Sequence, residues 1–359
     1  YTRLYVFSSF LPEVISVFIY FLLGRNVILN NYTIGDYVYY QGIVKEALAI
    51  MYSLVYNYSQ LIDGKIRINN FIRFMKWENK VKDIGTKVFS YDKIEIEFSN
   101  VSFQYDDNYP MILKNINFKV VTPQKLALVG VNGSGKTTII KLLMRFYDPT
   151  EGVILLNGID IKEYTIESVR ACFSPLFQDY CKYAFTIRES ILISDYEKYA
   201  DNKIEDRIEL SLKQSMADTF VSKFGQGIDT YLTRQYSEKG EELSGGQWQK
   251  IACARTFYRE ALFYVMDEPS SSLDPESEHE LFRNFEQFSE NKCSILVSHR
   301  LANVINTDHI LVLDKGMIVE EGNHDSLMEA KGTYAYLFNL QADKYKKGSE
   351  MTFVECGNN

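Results

Sequence analysis

The chain has 359 residues, a net charge of −8, 46% apolar and 24% charged residues. That leaves room for two ordinary domains, excludes a disordered chain, and offers no basic excess of the kind nucleic acid asks for. Five cysteines, at 172, 181, 253, 293 and 356, form no CxxC pair, so neither a zinc site nor a disulfide framework is indicated, and reduced thiols in a cytosolic domain are expected.

The chain opens on Tyr1 rather than Met, which reads as a processed chain or a piece of a longer one. No cleaved signal peptide is evident: the apolar start carries one basic residue, Arg3, and no small-residue cleavage site. Residues 4–23 are almost wholly apolar and match the ~20 residues that cross a hydrocarbon core. Pro12 and Glu13 interrupt them, and a carboxylate is costly in lipid, so Glu13 should face a cavity, a partner helix or the interface. Residues 37–62 are a weaker candidate, broken by Lys45, Glu46 and many tyrosines, and a soluble amphipathic helix is the rival reading there. Charge placement favours a second span. The connector 24–36 has one basic residue, Arg25, whereas Lys65, Arg67, Arg73, Lys76, Lys80, Lys82 and Lys87 follow the second stretch. Basic residues accumulate on the cytoplasmic side, so everything after about residue 64 is expected inside. Ile68, Phe71, Ile72 and Met75 keep helical spacing, which predicts that the second helix runs on into the cytosol.

From Lys93 the pattern changes. KIEIEFSNVSF alternates like a half-buried strand. KLALVG, ALFYVMDEP and CSILVSH are short apolar runs. The first is followed by the helical pattern KTTIIKLLMRF and the second by a helix from about Glu276. HILVLDKGMIVEEG reads as a hairpin turning at Asp314, Lys315 and Gly316. Residues 186–258 are mostly helical, an inserted subdomain, and a polar tail follows about residue 343. Strands alternating with helices imply an α/β core with a largely parallel sheet.

GVNGSGKT at 130–137 has the phosphate-loop spacing G-x-x-x-x-G-K-[ST], after a strand and before a helix. Glycines let backbone N–H groups close on phosphate oxygens, and the helix N-terminus favours the anion. Gly130, Asn132, Gly133, Ser134, Gly135, Lys136, Thr137 and Thr138 are therefore candidate nucleotide ligands. Lys136 is placed on the β- and γ-phosphates and the Thr137 hydroxyl on Mg²⁺. FYVMDEP delivers Asp267 and Glu268 to a strand's C-terminal edge, where open α/β sheets bind ligands. Asp267 would hold the metal and Glu268 the attacking water. LSGGQWQKIACAR at 243–255 opens on Ser244, Gly245, Gly246 and Gln247 and continues as a helix, a second N-terminus able to attract an anion.

These three motifs, in this order, resemble those of the ATP-binding-cassette (ABC) family, and the resemblance covers residues 94–343. It implies that 244–247 binds the γ-phosphate of ATP held by a second copy of the domain. It further implies that Tyr105 stacks on adenine, that Gln178 contacts Mg²⁺ and the water, that Asp274 lies in a loop crossing the dimer, and that His299 holds the γ-phosphate. SEKGEE at 237–242 is similar to the segment that precedes the signature in exporters. No position is degenerate, so both sites of a homodimer should hydrolyse ATP, a heterodimer being the alternative.

Residues 1–78 resemble, more loosely, the last two spans of exporters whose membrane and ATPase parts share a chain. Such chains have six spans, so this one is expected to be a C-terminal part: a partial membrane domain (1–78), a linker (79–93), the nucleotide-binding domain (94–343) and a tail (344–359). The implied fold is a P-loop ATPase of ABC type with a mostly parallel sheet, an antiparallel β edge and an inserted helical subdomain, preceded by two transmembrane helices. The implied place is a bacterial cell membrane, multi-pass, with the ATPase in the cytoplasm. The implied partners are a second ABC subunit, membrane lipid and an exported substrate, with no nucleic acid. FQDYCKYAFTIRES and LSGGQWQK lean toward peptide exporters such as those of bacteriocins and lantibiotics. Export of lipid or small hydrophobic compounds is the alternative. A soluble ABC ATPase, or an importer subunit with separate membrane chains, fits the fused apolar stretch less well. As given, the chain is expected to hydrolyse ATP without transporting.

Overall fold

A computed structural model describes residues 2–29, 31–77, 79–195, 203–270, 272–298 and 300–342, with side chains from Val14 onward. The chain divides between Asn79 and Lys80 into two units.

The first unit is a pair of helices, α1 (Thr2–Ile28) and α2 (Ile34–Met75), packed on each other. The start of α2 is fixed chemically. The Thr33 side chain accepts from the Asp36 N–H while the Asp36 carboxylate accepts from the Thr33 N–H, a capping box that satisfies two orphan donors. α2 then runs for 42 residues without a break, through the cytosolic extension expected after the second span. It has no buried residue, and Val14, Val17, Phe18 and Phe21 of α1 stand exposed. Both expected spans, 4–23 and 37–62, are therefore helical. Among the described residues, however, no helix is long and apolar enough to cross a membrane. Lys45, Glu46 and Asp63 interrupt the apolar character of α2, and the side chains of the first ten residues of the 4–23 stretch are not described.

The second unit starts with a segment that the sequence reads as a linker but that is folded onto the unit. The buried Arg145 guanidinium donates to the carbonyls of Lys82, Ile161 and Tyr164. Asp83 accepts from the Ile166 N–H, the Thr165 N–H donates to the Lys87 carbonyl, and Phe89 enters the core.

Two sheets follow. The antiparallel one has the order β2-β1-β4-β5, from β1 (Glu95–Phe103), β2 (Leu113–Val121), β4 (Glu151–Leu156) and β5 (Ile159–Asp160). Phe98 and Phe118 face each other across β1 and β2 with rings stacked at 4.5 Å, the kind of cross-strand pair that stabilises such ladders. The other sheet has the order β10-β9-β3-β8-β7-β6. Its strands β3 (Lys125–Gly130), β6 (Phe173–Leu176), β7 (Phe263–Asp267), β8 (Cys293–Val297) and β9 (His309–Asp314) are parallel. β10 (Met317–Gly322) closes the edge antiparallel. Every residue of β7 and β8 is buried, as expected of strands covered on both faces.

One core lies with the antiparallel sheet, one face of the parallel strands and α3 (Lys136–Leu143). A second lies with the other face, α8 (Gly245–Tyr258) and α9 (Pro275–Phe288). A third belongs to the inserted subdomain, where α5 (Ile187–Leu192), α6 (Ile204–Gln214) and α7 (Asp218–Val221) pack on α8 around Ile191, Ile208, Leu212, Trp248 and Ile251.

Candidate functional site

The strand order brings the chemistry together. β3, β8 and β7 are consecutive parallel neighbours, so the loop after β3 and the acids ending β7 emerge at one edge. β6, beside β7, delivers Gln178 to the same edge. Ligands bind at such carboxyl edges. A cavity of about 640 Å³ opens there, lined among others by Asn132, Gly133, Gly135, Lys136, Thr137, Thr138, Gln178 and Glu268.

In the loop 130–135, Gly130 has φ +155°, and a Cβ there would collide with the Leu313 carbonyl; only glycine fits. Ser134 is 1% exposed and its hydroxyl has no hydrogen-bond partner, an unsatisfied donor at the floor of the loop. Lys136 is folded back along the loop, its Nζ donating to the carbonyls of Gly130 at 2.8 Å and Val131 at 3.1 Å. Burial pulls its pKa down, against the opposing pull of Glu268 and Asp267.

Asp267 is 2% exposed and accepts from the Thr137 hydroxyl at 3.3 Å. Burial first, and Glu268 second, push its pKa up to about 6. Glu268 sits at φ +53°, with its N–H donating to the Val297 carbonyl. A left-handed conformation in a non-glycine residue is strained and must be held by its surroundings. The Gln178 amide donates to the Glu268 carboxylate at 3.0 Å.

Tyr105 does not line the cavity but adjoins it. Its hydroxyl lies 3.3 Å from that of Thr138, the Lys141 ammonium lies 5.6 Å from its ring centre, and Phe103 and Tyr147 brace it edge-on. Ser244, Gly245, Gly246, Gln247 and Asp274 lie outside the cavity. Ser244 caps α8 in a capping box with Gln247, and Ser244 and Gly245 are exposed. Asp274 caps α9, accepting from the Ser277 N–H. His299 lies outside the described residues.

Several residues of this region escape the sequence reading, among them Met111, Ile112, Lys315 and Gln249. Met111, Ile112 and Lys315 line the cavity, the last from the β9–β10 turn. Gln249, 1% exposed on α8, donates to the carbonyls of Glu268 and Pro269 and accepts from the Ser272 N–H. A polar residue on the helix face it shares with the buried Ala252 and Cys253 is the one signal that could have marked it.

The residues fit a nucleoside triphosphate: an orphaned buried hydroxyl, a glycine-lined loop opening a helix, and an ammonium held only by carbonyls that a phosphate could outcompete. They also fit a magnesium ion. Thr137, Asp267 and Gln178 offer only oxygen and amide donors with one buried carboxylate, and Mg²⁺ is commonly held by one or two carboxylates plus substrate phosphates.

Residues 113–271 match the family described as ABC transporter. The chain is 39% identical over 292 residues to the subtilin transport ATP-binding protein SpaT of Bacillus subtilis, covering 79% of this chain and 47% of that protein. It is 37% identical over 260 residues to the ATP-dependent lipid A-core flippase of Escherichia coli (strain K12), covering 72% and 43%. The chain thus spans less than half the length of these curated relatives. Among solved structures it resembles a bacterial Atm1-family ABC exporter with ATP bound, with a TM-score of 0.70 and 30% identity over 86% of this chain and 53% of that one.

Proposed function

We propose that this chain, which carries an ABC transporter ATPase domain, hydrolyses ATP at sites completed by a second subunit and so drives export of a peptide across a membrane. The loop 130–138 binds the phosphates, with Lys136 leaving the Gly130 and Val131 carbonyls for phosphate oxygens. Tyr105 stacks on the base. Thr137, Asp267 and Gln178 would hold a Mg²⁺ ion, which would supply positive charge beside the phosphate oxygens. Glu268 orients and polarises the attacking water, and the Gln178–Glu268 hydrogen bond sets its carboxylate before substrate arrives. Ser244, Gly245, Gly246 and Gln247, with Asp274, serve the ATP of the other copy, and His299 the γ-phosphate. α1 and α2 are the membrane part in this reading, their exposed apolar side chains covered by lipid and further helices.

The observation that carries the reading is the single cavity in which Lys136, Thr137, Gln178 and Glu268 meet. Glu268→Gln tests it. ATP binding should persist while turnover falls by about 10²–10⁴-fold, the usual contribution of a positioned base. Turnover near the wild-type rate would remove Glu268 from this role.

Similarity to a subtilin transporter supports a peptide as cargo, and similarity to a lipid A-core flippase supports a lipid as the second reading. Stimulation of ATPase activity by cationic peptides but not by lipid A separates the two.

A further inference from the structure

We infer that Glu278 is a positioning residue for the hydrolysis proposed above, an inference that rests on that ATPase reading. Glu278 lies one turn into α9 and is 4% exposed. A carboxylate buried this far must be paired and hydrogen-bonded to be tolerated. Its partners come from two segments outside α9, one just before it and one after β8. Oε1 accepts from the Ser270 hydroxyl at 2.6 Å and from the Asn303 amide at 2.7 Å, and Oε2 pairs with the Arg300 guanidinium.

Both segments belong to the catalytic edge. Ser270 follows Glu268 by two residues. Arg300 directly follows His299, at the exit of β8. Glu278 therefore ties the segment holding the candidate base to the segment holding the candidate γ-phosphate sensor. The first segment is gripped from its other side as well, because Gln249 of α8 holds Pro269 and Ser272. Glu268, at φ +53°, sits at the head of this doubly held stretch. Strained backbone persists only where its surroundings over-determine it, and the grip of Glu278 and Gln249 supplies that restraint.

A plain structural staple would join α9 to any neighbouring core. Here, among the described residues, every partner of the Glu278 carboxylate lies on one of the two segments expected to sense nucleotide. Loosening it should let Glu268 drift while the phosphate loop, on the far side of β8, keeps its shape. The effect belongs in kcat rather than in the KM for ATP.

The test is steady-state ATPase on the full chain with Glu278→Gln, Arg300→Gln and the double variant. Arg300 has a 39% exposed side chain, so its replacement is the milder change for folding. Each single variant should lose about tenfold or more in kcat, the scale of a small misplacement of a reacting group. KM for ATP should stay within about twofold, the signature of an interaction that serves the transition state. The double variant should be no worse than either single, because the two act as a pair. If Glu278→Gln does not fold, Arg300→Gln decides by the same split. Wild-type kcat in the variants, or kcat and KM deteriorating together with thermal stability, overturns the inference. ATPase activity that survives Lys136→Ala at the wild-type level overturns the ATPase reading and this inference with it.

Discussion

Asp267 is buried, ionisable and next in sequence to a second carboxylate. Its folded-state pKa is raised from 3.8 to about 6 by burial and by Glu268. For a carboxylate shifted upward the cost to stability is absent below the unfolded value, grows between 3.8 and about 6 as the unfolded chain ionises first, and is complete above about 6. The nucleotide-free domain should therefore lose stability through this group as pH rises across that window. Asp267→Asn keeps an oxygen for the Thr137 hydroxyl and removes the charge. It should stabilise the nucleotide-free chain at neutral pH by on the order of 3 kcal/mol while eliminating Mg²⁺-dependent turnover. Thermal melts of both forms across the window check it, and an Asn variant less stable than wild type at neutral pH contradicts it. Tyr105 offers a second test. If its face stacks on the base, Tyr105→Ala should weaken ATP and GTP alike by about 1–3 kcal/mol, since stacking tolerates any base. Tyr105→Phe should be mild, because the hydroxyl makes only a long contact with Thr138, 3.3 Å. Nucleotide titrations read both, and a Phe variant as damaged as Ala would mean that the hydroxyl matters.

At the scale of elements, what the sequence makes legible follows from burial. β3, β7 and β8 are apolar runs because parallel strands are covered on both faces, and the loop after β3 and the acids ending β7 emerge at one edge. β6 carries no such signal. It has four residues, one of them Pro175, and is a strand because β7 pairs with it. β5 has two residues. The segment from Lys80 reads as a linker because polar atoms hold it: the Lys82 carbonyl accepts from Arg145, the Asp83 carboxylate from the Ile166 N–H, and Thr86 and Lys87 pair through their backbones with Glu163, bonds to distant residues that apolar periodicity cannot see. Gln249 and Glu278 are illegible for a related reason: their partners lie on other elements, 19 to 23 residues away for Gln249 and 8 to 25 for Glu278. α8 permits a test that separates fold from chemistry. Ser244 is its N-cap, and aspartate caps about as well as serine. Ser244→Asp should leave stability within about 1 kcal/mol. It should nevertheless depress turnover strongly, because it sets a carboxylate where the phosphate of the other copy is expected. Thermal melts beside ATPase rates read the two effects, and unchanged turnover would remove Ser244 from the nucleotide's path.

For the whole molecule, the decisive point is that the cavity contains one half of the expected site. Lys136, Thr137, Gln178 and Glu268 line it, whereas Ser244, Gly245, Gly246 and Gln247 open a different helix and lie outside it. On the proposed reading, a chain that completes its ATP site borrows the second half. In a two-fold dimer the borrowing is mutual, so each dimer holds two composite sites. Two defective chains can then be made to cooperate. Lys136→Ala spoils the phosphate loop and leaves the α8 N-terminus intact, and Ser244→Asp does the reverse. Each alone should be nearly inactive, since every site of its homodimer contains a defect. In the mixed dimer one site combines both spoiled halves and the other combines both intact halves. With equal amounts and random pairing, half the dimers are mixed and half their sites are sound, so activity should return to about a quarter of the wild-type rate. The recovery should also need exchange of subunits, rising as the two preparations equilibrate and growing with chain concentration. Activity that stays at the level of the two inactive parents after full exchange would mean that the α8 N-terminus does not serve the partner's nucleotide, and that the site is built some other way.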